Sequence, residues 1–392
     1  MPDSLFARAY NSGGAKTIEF IGQMKKRVAI WLFGGIGTGN FSQGQPVLEK
    51  LILELSAEFE LIVYSQSLVN PDYVSGGFRI RSAPGVVRNG SLRWLLLIKY
   101  FLSDHLKKRF SVVCAFWGFP GGFLATLLSK VLFRPSLVCL QGGDSVGIPS
   151  LNYGVMHRGF KRLVLWTYRN ATVLTALTFF QKNLLHGYGV SRPIRIIPLG
   201  ADPSVFKFFL KKEHPGEPCK FIHVSNYNPI KDPDTLLKTF ALICKKKEAL
   251  LRIVGGEYTE SGSKQLCRDL GIESKIDFHG PAMYSTMHDH YEWADIMLHT
   301  SLYEGQGIVI AEAAASGVLI AGTSVGLISD LGDRGALVAP PGDFALLSEK
   351  VLAAMDNPAL CEEMKKVALA WSKQHDFFWT VDQYKKIVYE IG

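Results

Sequence analysis

Two glutamates, Glu304 and Glu312, are separated by seven residues in the stretch Tyr303-Glu-Gly-Gln-Gly-Ile-Val-Ile-Ala-Glu312. An apolar run ending near His299 precedes them, and the spacing predicts a helix over Gly307–Ser316. Glu304 then falls in the loop and Glu312 inside the helix. Free backbone N–H groups at such a helix start make an anion site, and Gly305 and Gly307 let phosphate oxygens approach closely. A carboxylate accepts two hydrogen bonds from vicinal hydroxyls, as on a ribose or a hexose. Glutamates near helix starts also serve simply to oppose the helix dipole, which is the plainer reading of either residue taken alone.

These residues need a scaffold that brings loops to one edge of a sheet. Short apolar runs at Val28–Phe33, Leu61–Tyr64, Ser111–Phe116, Ser136–Leu140, Val173–Leu177 and Arg195–Pro198 read as strands. Helical spacing separates them at Leu48–Phe59 and Phe123–Leu132. A second series follows, with strands at Lys220–Val224, Leu250–Val254, Lys275–Phe278, Ile296–His299, Leu319–Ala321 and Ala336–Val338. Strands alternating with helices imply parallel, doubly wound α/β sheets. Two Rossmann-like domains in tandem leave a cleft between the carboxyl ends of their sheets, where ligands bind in such folds.

The chain has 392 residues, more than one ordinary core holds. We expect an N-terminal extension over 1–24, an N-terminal domain over 25–205, a C-terminal domain over 206–370 and a final helix over 371–392. Met24-Lys25-Lys26-Arg27 reads like a chain start, and the polar run Lys211–Pro218 like the linker region. Six cysteines without a CxxC pair argue against a zinc or redox motif and suit a cytoplasmic protein. The net charge of +8 comes with no nucleic-acid-binding motif. A phosphorylated substrate and an anionic membrane surface account for it instead. Ser91–Arg109 mixes Trp94, Tyr100 and Phe101 with five basic residues, and reads either as an interfacial helix or as a core helix with a basic end. The Gly34–Gly39 run makes a poor dinucleotide fingerprint, because no suitably spaced acidic residue ends the next strand.

From Val28 onward the chain resembles the retaining glycosyltransferases of family 4, the group 1 enzymes of GT-B fold. Ala294–Gly317 carries the E-x7-E signature of that family, and Pro198–Phe206 is similar to its interdomain segment. Val224–Leu237, Leu251–Gly256 and Ile276–Gly280 match its next motifs in order. The resemblance implies an α/β GT-B protein that takes a nucleotide-diphosphate-sugar donor, with no metal or other cofactor. Lys231 and Glu304 would be catalytic, Lys231 facing the diphosphate leaving group and Glu304 the hydroxyls of the transferred sugar. Glu312 would take the ribose, the backbone of Gly305, Gln306 and Gly307 the distal phosphate, and the Gly280 turn the base. Gly39 and Gly44 are candidates to approach the diphosphate from the N-terminal domain. The acceptor would be a glycan or a lipid-linked acceptor at the cytoplasmic face of a membrane, as in surface polysaccharide, glycolipid or lipopolysaccharide assembly.

Three positions depart from the family pattern. Asn226 stands where a donor-site arginine is expected, Phe116 where a histidine reaches the sugar, and Gln141 where a second histidine is expected. Phe116, Trp117 and Asp144 are the acceptor-side candidates, although Trp117 also suits packing against the cleft wall and Asp144 also suits a plain turn. The departures keep open a non-catalytic partner that binds the sugar nucleotide, and more distantly a phosphorylase of the same fold.

Overall fold

The computed structural model describes residues 25–37, 45–209, 217–258 and 262–392. The N-terminal extension, Gly39, Gly44 and most of the polar run read as a linker lie outside the described residues.

Two parallel sheets form the protein. The first has seven strands in the spatial order Arg79–Ser82, Glu60–Ser65, Arg27–Leu32, Val112–Phe116, Ser136–Cys139, Val173–Ala176 and Arg195–Ile196. The second has six, in the order Ile276–Gly280, Ala249–Val254, Cys219–Val224, Ile296–His299, Leu319–Thr323 and Leu337–Ala339. Every pairing in both sheets is parallel. This is the GT-B arrangement of two Rossmann-like domains. Parallel strands need helices over both faces, which is why their sequences are near-continuous apolar runs: every residue of Arg27–Leu32 is buried.

Three short strands carried too little signal to be read, and a fourth was read too long. Arg79–Ser82 contains one apolar residue and sits at the sheet edge, where none of its residues is fully buried. The hairpin pairing Gly147–Ile148 with Tyr153–Gly154 is only two residues per strand. The strand at Arg195 ends at Ile196 rather than Pro198, whose ring nitrogen has no hydrogen to donate to a ladder.

Each sheet reverses its strand order once. In the C-terminal sheet the reversal falls between Cys219–Val224 and Ile296–His299, whose following loops carry Lys231 and Glu304. Loops at such a switch point splay apart and leave a crevice.

The end of the chain returns to the first domain. Helix Pro358–Gln374 stays packed on the C-terminal domain, against helices Ile308–Ser316 and Gly326–Gly335. The expected final segment from 371 therefore includes the last turn of a helix that belongs to the other domain. The crossing comes at His375–Asp376, and helix Phe377–Ile391 then buries Phe377, Val381, Tyr384 and Val388 in the core that holds Val28 and Leu55. Asp376 caps this helix by accepting from the Trp379 amide. The Thr380 hydroxyl donates to the Pro198 carbonyl (2.8 Å) and accepts from the Gly200 amide (3.0 Å), tying the two crossing segments together. Phe377→Ala is expected to destabilise the protein by about 3–5 kcal/mol, whereas Phe378→Ala, at the half-exposed neighbour, should cost less than about 1 kcal/mol. Urea titration of both variants checks this; equal losses would mean that the helix is not seated on the N-terminal core.

Candidate functional site

Lys231 and Glu304 lie 73 residues apart in sequence and meet because their parent strands are neighbours. Lys231 closes a one-turn helix, Pro229–Lys231, whose start is capped by Asn228. The Thr300 hydroxyl reaches the carbonyl oxygens of Lys231 and Asp232, both at 3.1 Å, so the turn is pinned to the Glu304 loop. Lys231 Nζ donates to Glu304 Oε1 at 2.5 Å. The same oxygen lies 2.8 Å from the Ser301 hydroxyl and 2.9 Å from His299 Nε2. Burial opposes ionisation of Glu304, but the Lys231 charge and the His299 contact overcome it and hold the carboxyl well below the usual carboxylate range. Such a group offers negative charge and hydrogen-bond acceptance; it is a poor proton acceptor.

His299 was not singled out from sequence, where a histidine at a strand end reads as a core residue. It is fully buried, and its ring stacks 6.0 Å from that of His223. His223 in turn bonds to Ser225 Oγ (2.8 Å) and Tyr258 Oη (2.9 Å) through Nε2. Burial, assisted by His299, lowers the His223 pKa to about 3, so this imidazole is neutral at physiological pH.

The helix that follows Glu304 begins at Gly307, which adopts a left-handed backbone (φ 80°), and no side chain caps its start. Glu312 lies one turn in. It is 4% exposed, and its Oε2 accepts from Tyr291 Oη at 2.9 Å. With that one hydrogen bond, burial dominates and raises its pKa to about 7. Glu312 lines a cleft of about 820 Å³ between the domains, together with Asn226, Gly255 and the Pro281–Ser285 segment. Gly37, Lys50 and Tyr73 face them from the N-terminal domain. Tyr284 lines the same cleft, and its buried hydroxyl has no hydrogen-bond partner among the described residues.

Several candidates sit elsewhere or do different work. Asn226 is in the cleft wall, with Oδ1 accepting from the Gly256 amide at 2.9 Å. Gly280 passes its carbonyl to the Gly255 amide, and the cleft wall begins after it, at Pro281. Gly305 lacks a side chain because the N-terminal domain is there: a Cβ would lie 2.4 Å from the Gln141 carbonyl oxygen. The Gln306 side chain is spent on the Leu199 peptide, accepting from its N–H (2.8 Å) and donating to its C=O (2.7 Å). Phe116 is a core residue, 1% exposed, its ring 5.7 Å from that of Tyr384; it does not face the cleft. Trp117 is half-buried against the same core and takes a positive φ of 70°. Asp144 is buried with its two oxygens on the Gly118 (3.0 Å) and Gln141 (2.7 Å) amides, and burial lifts its pKa to about 6. It staples the Trp117 loop to the Gln141 turn. The Gln141 amide nitrogen is buried at the domain contact with no partner among the described residues.

A family model for group 1 glycosyl transferases matches residues 205–371, and a model for glycosyltransferase family 4 matches residues 46–205. Among relatives, the chain is 29% identical over 174 residues to N-acetyl-alpha-D-glucosaminyl L-malate synthase of Bacillus anthracis, covering 43% of this chain and 45% of that protein. It is 27% identical over 235 residues to mannosylfructose-phosphate synthase of Agrobacterium fabrum, covering 54% and 51%. The chain thus spans about half the length of these relatives. The fold is shared with sucrose-phosphate synthase from Thermosynechococcus elongatus, at TM-score 0.76, 15% identity and coverage of 93% and 99%. It is shared also with Anabaena HepE in complex with UDP, at TM-score 0.72, 16% identity and coverage of 93% and 100%.

Glu312 gives the cleft a measurable pH signature. Its folded-state pKa of about 7 lies above the ordinary 4.5, so the folded state holds a proton that the unfolded chain releases. The resulting penalty is absent below pH 4.5, grows as pH rises and is complete above pH 7. Glu312→Gln, which imitates the protonated form, should therefore match the parent near pH 4.5 and exceed its stability at pH 8 by about 1–3 kcal/mol. Denaturant titrations at the two pH values test this; no gain at pH 8 would mean that the carboxylate is solvated.

Proposed function

Because this chain belongs to the group 1, family 4 glycosyltransferases, we propose that it moves a sugar from a nucleotide-diphosphate sugar to a hydroxyl of a glycan or lipid-linked acceptor, with retention of anomeric configuration. The observation that carries this reading is the Lys231–Glu304 pair beside an uncapped helix start, one turn along which Glu312 lines the interdomain cleft. The diphosphate would lie at the Gly307 helix start, where amide groups and the helix dipole favour anions. Lys231 would turn toward it and offset the charge that accumulates as the glycosidic bond breaks. Glu304, released from part of its contact with Lys231, would accept from hydroxyls of the sugar. Glu312 would accept from the ribose, and Pro281–Tyr284 would border the base.

The reaction then needs no protein nucleophile. The bond from the anomeric carbon to the leaving phosphate oxygen breaks, a bond to the acceptor oxygen forms on the same face, and the acceptor proton passes to the leaving phosphate. The strongly depressed Glu304 pKa supports this, since a carboxylate held ionised by three donors is unsuited to take that proton. A second reading, a protein that binds the sugar nucleotide without turnover, draws on Asn226. Its side chain is neutral and already bonded to Gly256, so one positive charge is absent from the phosphate side of the cleft.

Thermal-shift measurements with UDP, GDP and ADP at about 1 mM should show one nucleotide stabilising the protein selectively. In a transfer assay with the matching donor, Lys231→Ala and Glu304→Gln should each lower kcat about 10²–10³-fold, and Lys231→Ala, which strips Glu304 of its counter-charge, should also lower the thermal midpoint. Turnover that survives both substitutions would move the chemistry away from this pair. Selective nucleotide binding with no turnover in the parent protein would favour the second reading.

A further inference from the structure

We propose that the outer face of the N-terminal domain docks on an anionic lipid bilayer. From Tyr73 to Ala201 the chain carries 17 lysines and arginines against two acidic residues, Asp104 and Asp144. Neither acid reaches the surface: Asp104 is buried under Arg81 and Tyr64, and Asp144 is bonded to backbone amides. This excess is larger than the +8 of the whole protein, so the remainder of the chain is net acidic and the charge is segregated.

A large part of this segment folds into one surface. Helices Gly90–Lys107, Phe123–Val131 and Lys161–Asn170 cover the face of the seven-stranded sheet opposite to helix Phe377–Ile391. The first two feed adjacent strands, paired Val113 with Ser136, so their carboxyl ends lie side by side. Solvent-facing positions on these elements, which are ordinarily polar, are apolar here. Leu95 is 61% exposed, Leu106 85% and Phe133 93%, and Leu127, Val131 and Leu163 are exposed with them. Lys99, Lys107, Arg109, Lys130 and Arg162 are exposed among these apolar tips.

Exposed apolar tips set in a basic field are what an interfacial membrane contact requires: the cations meet anionic headgroups and the leucines enter the acyl boundary. A polyanion such as nucleic acid would reward the cations and leave the leucines in water. A second copy of the chain would bring the same positive field against itself. Among the described residues no helix is long and apolar enough to cross a membrane, so the contact proposed is one of docking along the surface. The three helices run alongside the strands from the cleft edge to the far edge. Given the function proposed above, docking would bring the protein to a membrane-held acceptor; the docking itself does not depend on that function.

The test is flotation of the full chain with phosphatidylcholine vesicles and with vesicles containing about 30% phosphatidylglycerol. The protein should float with the anionic vesicles and stay behind with the neutral ones. Leu95→Ser/Leu106→Ser should lower the bound fraction about tenfold with no change in thermal midpoint, because both residues are exposed. Lys99→Glu/Arg162→Glu should lower it as strongly. Equal flotation on neutral vesicles, no flotation on anionic ones, or wild-type flotation of the leucine variant would overturn the proposal. Absence of flotation on anionic vesicles would point to a soluble polyanion in place of lipid, and wild-type flotation of the leucine variant to a purely electrostatic contact elsewhere on the domain. Nucleotide thermal shifts are read without vesicles, so failure here leaves the donor-site reading independently testable.

Discussion

A carboxylate in a protein interior is costly unless opposite charge and hydrogen bonds replace its water, and Glu304 imposes that requirement on everything around it. The lysine that meets it comes from a different strand and is held in place by a one-turn helix. That turn is in turn held by the hydroxyl of Thr300, from the loop that carries Glu304. The histidine beneath it is fixed at the end of its own strand, with a neutral imidazole stacked behind. Each of these groups could be a satisfied core residue if seen alone. Their convergence on a single oxygen makes them a site.

The loop that presents Glu304 is also the place where the two domains touch. Tyr303 donates to the Gly142 carbonyl, the Gly305 carbonyl accepts from Thr178, and Gln306 grips the Leu199 peptide. Nearby, Asp330 accepts from the Phe179 and Phe180 amides at the start of an N-terminal-domain helix. Glu304 alone among these consecutive residues turns toward its own domain. A change in the angle between the domains therefore acts on the backbone on either side of the charged group. The position of Glu304 and the angle between the domains are mechanically joined.

The scaffold was largely legible because strands buried on both faces must be apolar throughout, and the runs stand out between polar helices. Arg79–Ser82 escaped because an edge strand faces no such demand. The site was legible in a different way. Spacing alone placed Glu304 in a loop and Glu312 in a helix, but the partnership with Lys231 depends on strand order, which no local pattern contains; only the family resemblance brought the two together. Resemblance also misled. It marks positions and not directions, so Phe116 was placed at the acceptor although its ring points into the core. Gln306 was read for its backbone, although its side chain serves the domain contact. His299 was invisible for the opposite reason: a buried polar residue acquires meaning only once its partner is located.

The return of helix Phe377–Ile391 to the first core makes the C-terminal domain an insertion within the N-terminal one. On the ribosome, the seven-stranded sheet emerges first but lacks the helix that covers part of one face until the whole second domain has been translated. Its apolar surface around Val28, Leu55 and Phe116 must wait through that interval. The second domain, whose six strands and their covering helices are contiguous in the chain, is free to fold during the wait. The order of synthesis is thus the reverse of the order of completion: the domain begun first is finished last.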